Sequence, residues 1–202
     1  MIRFDAKYLP VLDLFAAKND IRFYLNGFYV EPADAGCFLV ATNGHTLIAI
    51  HDDSGECKAS GIYPVPRTLL PMCRQRSTRG ELKIEIAGEY ASVCDNDGAV
   101  LSQRCKPIDG RYPDWRRLMP TEIEQSESPS CVSDAYISMI AKASQYMSIR
   151  GRCAIRSCAY NERATAYFFE KTPAIAIIMH RVADAGDFDA NEIIEAAKKA
   201  RK

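Results

Sequence analysis

The residues able to do chemistry are few, and their spacing does not assemble a catalytic centre. His45 follows the tight Asn43-Gly44 turn, and His180 lies in a distant apolar run. Neither accompanies a nucleophile motif such as G-x-S-x-G. The phosphate-cradling P-loop, the zinc-binding HExxH and the dinucleotide fingerprint are all missing from the sequence. The adjacent acids Asp52-Asp53 and Asp95/Asp97 fall in turn sequences, where they are expected to be solvated rather than paired for acid–base work. The 8 cysteines form no CxxC pair and keep no metal-ligand spacing from a histidine. Several sit in apolar or small-residue runs (Cys37 in GCFLVAT, Cys131 in SCVS), so they read as reduced, buried thiols of a cytosolic protein. No catalytic residue, metal or cofactor is assigned, and the chain is not expected to be an enzyme.

What remains is binding. Lys+Arg and Asp+Glu are both 26, so the net charge is zero and global attraction to nucleic acid is not implied. A one-sided distribution of the same charges could still bind a polyanion. The elements that carry the basic residues therefore matter most.

Those elements repeat with a period of about sixty residues, each unit running strand, helix, three strands. In the first unit, 1–61, Met1 to Asp5 reads as a strand and Ala6 to Asn19 as a helix with Leu9, Leu12, Phe15 and Ala16 on one stripe. Ile21 to Glu31 alternates like a strand, Cys37 to Thr42 reads as buried, Asn43-Gly44 as a hairpin turn, and His45 to His51 as the return. In the second unit, 62–120, Ile62 to Val65 is a strand, Arg67 to Arg76 a helix shortened by Pro71, and Leu82 to Ile86, Tyr90 to Cys94 and Ala99 to Pro107 three strands. The segment Asp109 to Pro120, DGRYPDWRRLMP, reads as a short helical connector with Tyr112, Trp115 and Leu118 available for packing. Polar TEIEQSES, 121–128, is a linker. A third unit, 129–182, has a strand at Ser130 to Ser133, a helix at Ala135 to Met147, and strands at Arg152 to Tyr160, Ala164 to Glu170 and Pro173 to Val182. An amphipathic helix occupies Asn191 to Arg201 within the closing 183–202. Two units make one layered α+β domain, with two helices side by side on two sheets. The third unit lacks a mate; an open sheet edge and apolar helix face would need covering by another chain. No signal-peptide core or membrane-length apolar run occurs, which gives a cytoplasmic expectation and no membrane partner.

Three blocks carry a family resemblance. The run IRFYLNGFYVEPADAGCFLVATNGHTLIAI, Ile21 to Ile50, resembles the "YYLNG" strand and "ATDGHRLA" turn in the central domain of the bacterial sliding clamp, the beta subunit of DNA polymerase III. YPVPRTLL, Tyr63 to Leu70, is similar to that family's "VIVPRK", and KPIDGRYPDWRRLMP, Lys106 to Pro120, to its "LVDGRFPDYRRVLP". The third unit, with SCVSDAYISMIAKA and AIAIIMHRV, resembles the last half of the family's C-terminal domain. Asn43 stands where the family has aspartate, and Thr46 where it has arginine. The family has three two-unit domains, so the resemblance implies an abbreviated form of the kind a phage or mobile element would carry.

The resemblance implies a DNA-clamp-like fold and a non-catalytic processivity factor for DNA replication. Its helices would attract phosphates without reading bases. The candidates for that contact are Lys7 and Lys18 on the first helix, Arg67, Arg74, Arg76 and Arg79 on or beside the second, and Lys142, Arg150 and Arg152 on or beside the third. Carried over by position, a peptide groove for polymerase, clamp loader or other replication proteins would use Thr42, Gly44, His45, Thr46, Leu47, Pro66, Leu70, Ile178, Met179, His180 and Arg181. Leu47 and Ile178 could equally be ordinary core. Self-association into a ring, dimer or tetramer would follow. The alternative is a clamp-derived interaction module that regulates a clamp, polymerase or loader without encircling DNA.

Overall fold

Ile2 and Phe4 are buried while Arg3 and Asp5 are half-buried, the alternation that makes Ile2–Asp5 the first strand, β1. The computed structural model describes residues 1–74, 82–120, 132–148, 154–161 and 163–180. After β1, a 3₁₀ turn at Ala6–Tyr8 leads into α1, Leu9–Phe15, with Pro10 in its first turn. Strands β2 (Gly27–Pro32), β3 (Cys37–Thr42), β4 (Thr46–Asp52) and the short β5 (Glu56–Cys57) follow. The second unit is β6 (Gly61–Pro64), a 3₁₀ turn at Arg67–Leu69, α2 (Leu70–Arg74), β7 (Lys83–Ala87), β8 (Tyr90–Asp95) and β9 (Gly98–Arg104). The connector contributes one 3₁₀ turn, Trp115–Leu118. The third unit holds α3 (Asp134–Met147), β10 (Ile155–Asn161), β11 (Ala164–Phe169) and β12 (Ala174–Met179).

The first strand of each of the first two units crosses to the other unit. β1 pairs antiparallel with β7, and β6 pairs antiparallel with β2. This exchange welds the two units into one domain, because neither sheet is complete without a strand from the other unit. The sheets run β5-β1-β7-β8-β9 and β10-β11-β12-β4-β3-β2-β6. The larger sheet therefore continues from the first unit into the third through β4 and β12, with Thr46 opposite Ile178 and Leu47 opposite Ile177. The β12 edge of the third unit is thus closed within the chain.

One core lies between sheets and helices. Phe4, Leu9, Leu12, Phe15, Phe28, Leu39, Ile48 and Leu69 meet Ile140, Met147 and Ile178 of the third unit there. Each such side chain contributes about 1.5–3 kcal/mol by leaving water. A second cluster covers the opposite face of the large sheet, where Tyr112 and Trp115 of the connector join Val40, Leu47, Ala49, Ala164 and Ile177. The connector is therefore a lid over the outer face. Tyr112 stacks on Tyr29 at 5.0 Å between centroids, and Arg116 lies over the Trp115 ring at 4.4 Å while pairing with Glu31 at 2.6 Å.

Several expected boundaries move. The first helix ends at Phe15 rather than Asn19, because Ala16 is extended and the Ala17 N–H donates to the Leu25 carbonyl at 2.9 Å. The alternation of Ile21, Phe23 and Leu25 is not a strand. Phe23–Leu25 is a 3₁₀ turn, and Ile21 is 96% exposed. The Asn26 side chain bonds both the N–H and the C=O of Asp20 at 2.8 Å, closing a local loop that competes with a ladder. Gly27, where β2 begins, has no room for a Cβ, since the Tyr63 carbonyl occupies that space. The second helix opens as a 3₁₀ turn, and its α-helical part begins only at Leu70. Val132 and Ser133 form no strand; Ser133 instead holds the N-cap position of α3, its carbonyl accepting from the Tyr136 and Ile137 N–H groups. The connector turn starts at Trp115, two residues after Pro113. The linker 121–128 and the closing helix within 183–202 lie outside the described residues.

Candidate peptide groove and basic helix face

The groove candidates start from the β3–β4 hairpin. Asn43 Oδ1 accepts from the backbone N–H groups of His45 and Thr46, both at 2.9 Å, and from the Thr46 hydroxyl at 3.1 Å. The Thr42 hydroxyl donates to the Thr46 carbonyl at 2.7 Å and accepts from the Gly44 N–H at 3.0 Å. Gly44 sits at φ +90, the left-handed region that favours glycine. These bonds fix the turn without help from the rest of the fold.

The other half arrives from the third unit. The Met179 N–H donates to the His45 carbonyl at 2.9 Å, extending the β4–β12 ladder to the hairpin. The His180 N–H donates to the Arg163 carbonyl at 2.7 Å, and His180 Nε2 lies 2.7 Å from the buried Thr165 hydroxyl. Thr42, Gly44, His45, Thr46, Met179 and His180 therefore gather at one end of the large sheet. The β2–β6 register, Gly27 opposite Pro64, brings the approach to Pro66 and Leu70 to that same end. Leu47, Leu70 and Ile178 are core: Leu47 packs in the outer cluster, and Leu70 and Ile178 in the inner one. Arg181 lies outside the described residues.

Sequence reasoning missed Arg22. Its guanidinium is 2.9 Å from where a Cβ on Gly44 would sit and faces the Asn43 carbonyl at 3.5 Å. Asp20 grips it with two side-chain bonds, at 3.0 and 2.8 Å. Those side-chain bonds from Arg22, with its backbone N–H, pull the Asp20 carboxyl down to about 2. The D-x-R spacing was the available signal, hidden by reading the stretch as strand.

The basic candidates divide. Lys18, Arg67 and Arg74 converge on one carboxylate, Asp13, at 3.9, 3.1 and 3.9 Å. Arg74 also lies 5.9 Å from the Tyr146 ring centroid, which ties α2 to α3. Lys7 turns away to Asp5 at 2.7 Å and over the Tyr8 ring at 4.8 Å. Burial opposes the Lys7 charge, but the Asp5 bond and the Asp5 and Tyr8 side chains together outweigh it and its pKa rises. Lys142 is exposed on α3. Arg76, Arg79, Arg150 and Arg152 lie outside the described residues. Asp13 itself was not foreseen; an acid inside the apolar run LPVLDLF was its only mark.

Among the described residues no group of three His, Cys, Asp or Glu side chains could hold a metal. Burial pushes the Cys37 and Cys73 thiols up to about 12 and Cys105 to about 11. Among the described residues no helix is long and apolar enough to cross a membrane.

Two antiparallel sheets backed by helices, with strands exchanged between repeated units and a sheet continued across a unit junction, define a DNA-clamp-like α+β fold. No family model matches the chain. It is 30% identical over 118 residues to the beta sliding clamp of Proteus mirabilis, covering 57% of this chain and 31% of that protein. It is 29% identical over 117 residues to the Escherichia coli K12 beta sliding clamp, again covering 57% and 31%. The matched part thus spans less than a third of these relatives. Among solved structures, a DNA polymerase sliding clamp from Pseudomonas aeruginosa aligns with a TM-score of 0.56 at 15% identity, over 90% of this chain and 66% of that one. The DNA polymerase III beta subunit from Thermotoga maritima aligns with a TM-score of 0.59 at 11% identity, over 93% and 66%. Over the matched stretch the chain is similar in sequence to bacterial beta sliding clamps, and it shares their fold.

Proposed function

We propose that the protein is a non-catalytic, clamp-like replication processivity factor. It holds duplex DNA through the cations that flank α1 and those on or beside α2 and α3, and it offers the β4–β12 junction to short peptides of a polymerase or other replication protein. The observation that carries this reading is the Met179-to-His45 bond. It joins segments more than a hundred residues apart in sequence into one polar-edged site backed by apolar core. Phosphate contacts carry no sequence information, so cations on the helices suit sliding rather than site recognition. Processive holding would further require self-association into a ring.

The test has three arms on the full chain. Fluorescence anisotropy measures a labelled polymerase-derived peptide; His45→Ala with Met179→Ala should weaken its binding at least tenfold. Retention on nicked circular DNA is compared before and after linearisation. Light scattering gives the mass. A stable monomer that binds peptide but is never retained on circles would refute the clamp and leave a regulatory interaction module. Absence of both activities would refute the whole reading.

A further inference from the structure

Three of the cations nominated for DNA, Lys18, Arg67 and Arg74, are already engaged by one carboxylate. Asp13 retains 9% of its side-chain exposure, whereas Arg67, Arg74 and Lys18 keep 56, 44 and 59%. The carboxylate is thus sunk between α1 and α2, with cationic side chains above it that remain open to water. Arg67 Nε hydrogen-bonds Asp13 at 3.1 Å, while Arg74 and Lys18 stand 3.9 Å from it, the outer limit of an ion pair. Among the described residues one negative charge faces three positive ones, an excess of two. Its geometry matches what a phosphate diester needs, several donors converging on one anionic centre.

We propose that Asp13 is a built-in surrogate phosphate. It gathers Lys18, Arg67 and Arg74 in the absence of nucleic acid and competes with the DNA backbone for them when DNA is present. This rests on the DNA-holding function proposed above. DNA binding at this face is then an exchange of one anion for another, not the filling of an empty basic patch. The exchange lowers affinity and eases release from one phosphate to the next, which a protein that moves along DNA requires.

The proposal makes a prediction opposite in sign to a purely structural role. Removing the carboxylate frees the cations for about one more phosphate, and each neutralised phosphate multiplies the binding constant by about eightfold at 0.1 M salt. Full-length wild type and Asp13→Asn are compared by anisotropy on a labelled duplex, across about 20–200 mM salt. Asp13→Asn should bind about eightfold tighter at 0.1 M salt, with the log–log salt slope steeper by about 0.9. In an Arg67→Gln background the gain should shrink, since the best-held cation is gone. Asp13→Ser, which removes the charge with a smaller side chain, should behave alike if Asp13→Asn folds poorly. Binding that is unchanged or weaker in folded variants overturns the surrogate role while DNA holding stands. Failure of wild type and variants alike to bind at about 20 mM salt refutes DNA holding, and the inference with it.

Discussion

Ile177→Ala tests whether the third unit is part of the same folded body as the first two. Ile177 is 1% exposed and lies in the outer cluster with Leu47, Ala49 and Trp115. Its strand joins the first unit by one antiparallel ladder, and its neighbour Ile178 packs on the other face, in the inner core. Truncation removes three carbons from a site closed by strand pairing beneath and by the connector above. Collapse is therefore restricted, and the cost should be about 2–5 kcal/mol. With a urea slope of about 2 kcal/mol per molar, the unfolding midpoint should fall by at least about 1 M. The chain has a single tryptophan, Trp115, which belongs to that cluster. Its fluorescence reports the outer face, while far-UV circular dichroism reports the backbone as a whole. Both transitions should coincide in wild type and shift together in Ile177→Ala. The control is Ile137→Ala, whose side chain is 54% exposed on α3 and should change stability by less than about 0.5 kcal/mol. Two separate transitions in wild type, or a midpoint shift below about 0.5 M in Ile177→Ala, would refute the continuous core.

Gly44→Ala should lower stability by about 1–2 kcal/mol and weaken peptide binding, because φ is +90 and the new methyl would press on the Arg22 guanidinium; thermal melts and anisotropy read both effects. The Asp20–Arg22 contact should persist down to strongly acid pH. The folded pKa of about 2 lies below the ordinary 3.8, so the contribution is present above pH 3.8 and lost as pH falls through about 2. An NMR titration should place Asp20 near 2 and return it toward 3.8 in Arg22→Gln; a midpoint near 3.8 in wild type would refute the contact. Cys37, Cys73 and Cys105, raised by burial to about 12, 12 and 11, should resist iodoacetamide at pH 8 in the native protein and react on unfolding. Peptide mapping that finds them alkylated without unfolding would contradict their burial.

Much of this was legible locally. The Asn43-Gly44 turn was readable because its side-chain bonds close within four residues. The strands β3, β4, β11 and β12 were readable because their apolar composition is set by burial in the sheet. The same local reasoning failed at Asp20 to Asn26. There, side-chain bonds to the backbone outcompeted an alternation that looked like a strand. It also lengthened the first helix, since the chain leaves α1 to satisfy a backbone partner at Leu25.

By itself the sequence determined the strand–helix–strands order of its first 120 residues, the Asn43-Gly44 turn, the absence of any recognised catalytic motif, and the blocks that resemble a sliding clamp. Only the tertiary structure decided which strands exchange between units, that β12 continues the first unit's sheet, and that the connector roofs the outer cluster. It alone revealed that Asp13 gathers cations from as far along the chain as Arg67 and Arg74 and that Arg22 stands against Gly44. Turns and alternation are set by forces acting over a few residues, so they leave a local trace. Strand partners and ion pairs are set by which surfaces meet once the chain has closed long loops, and that choice is made by the whole core at once.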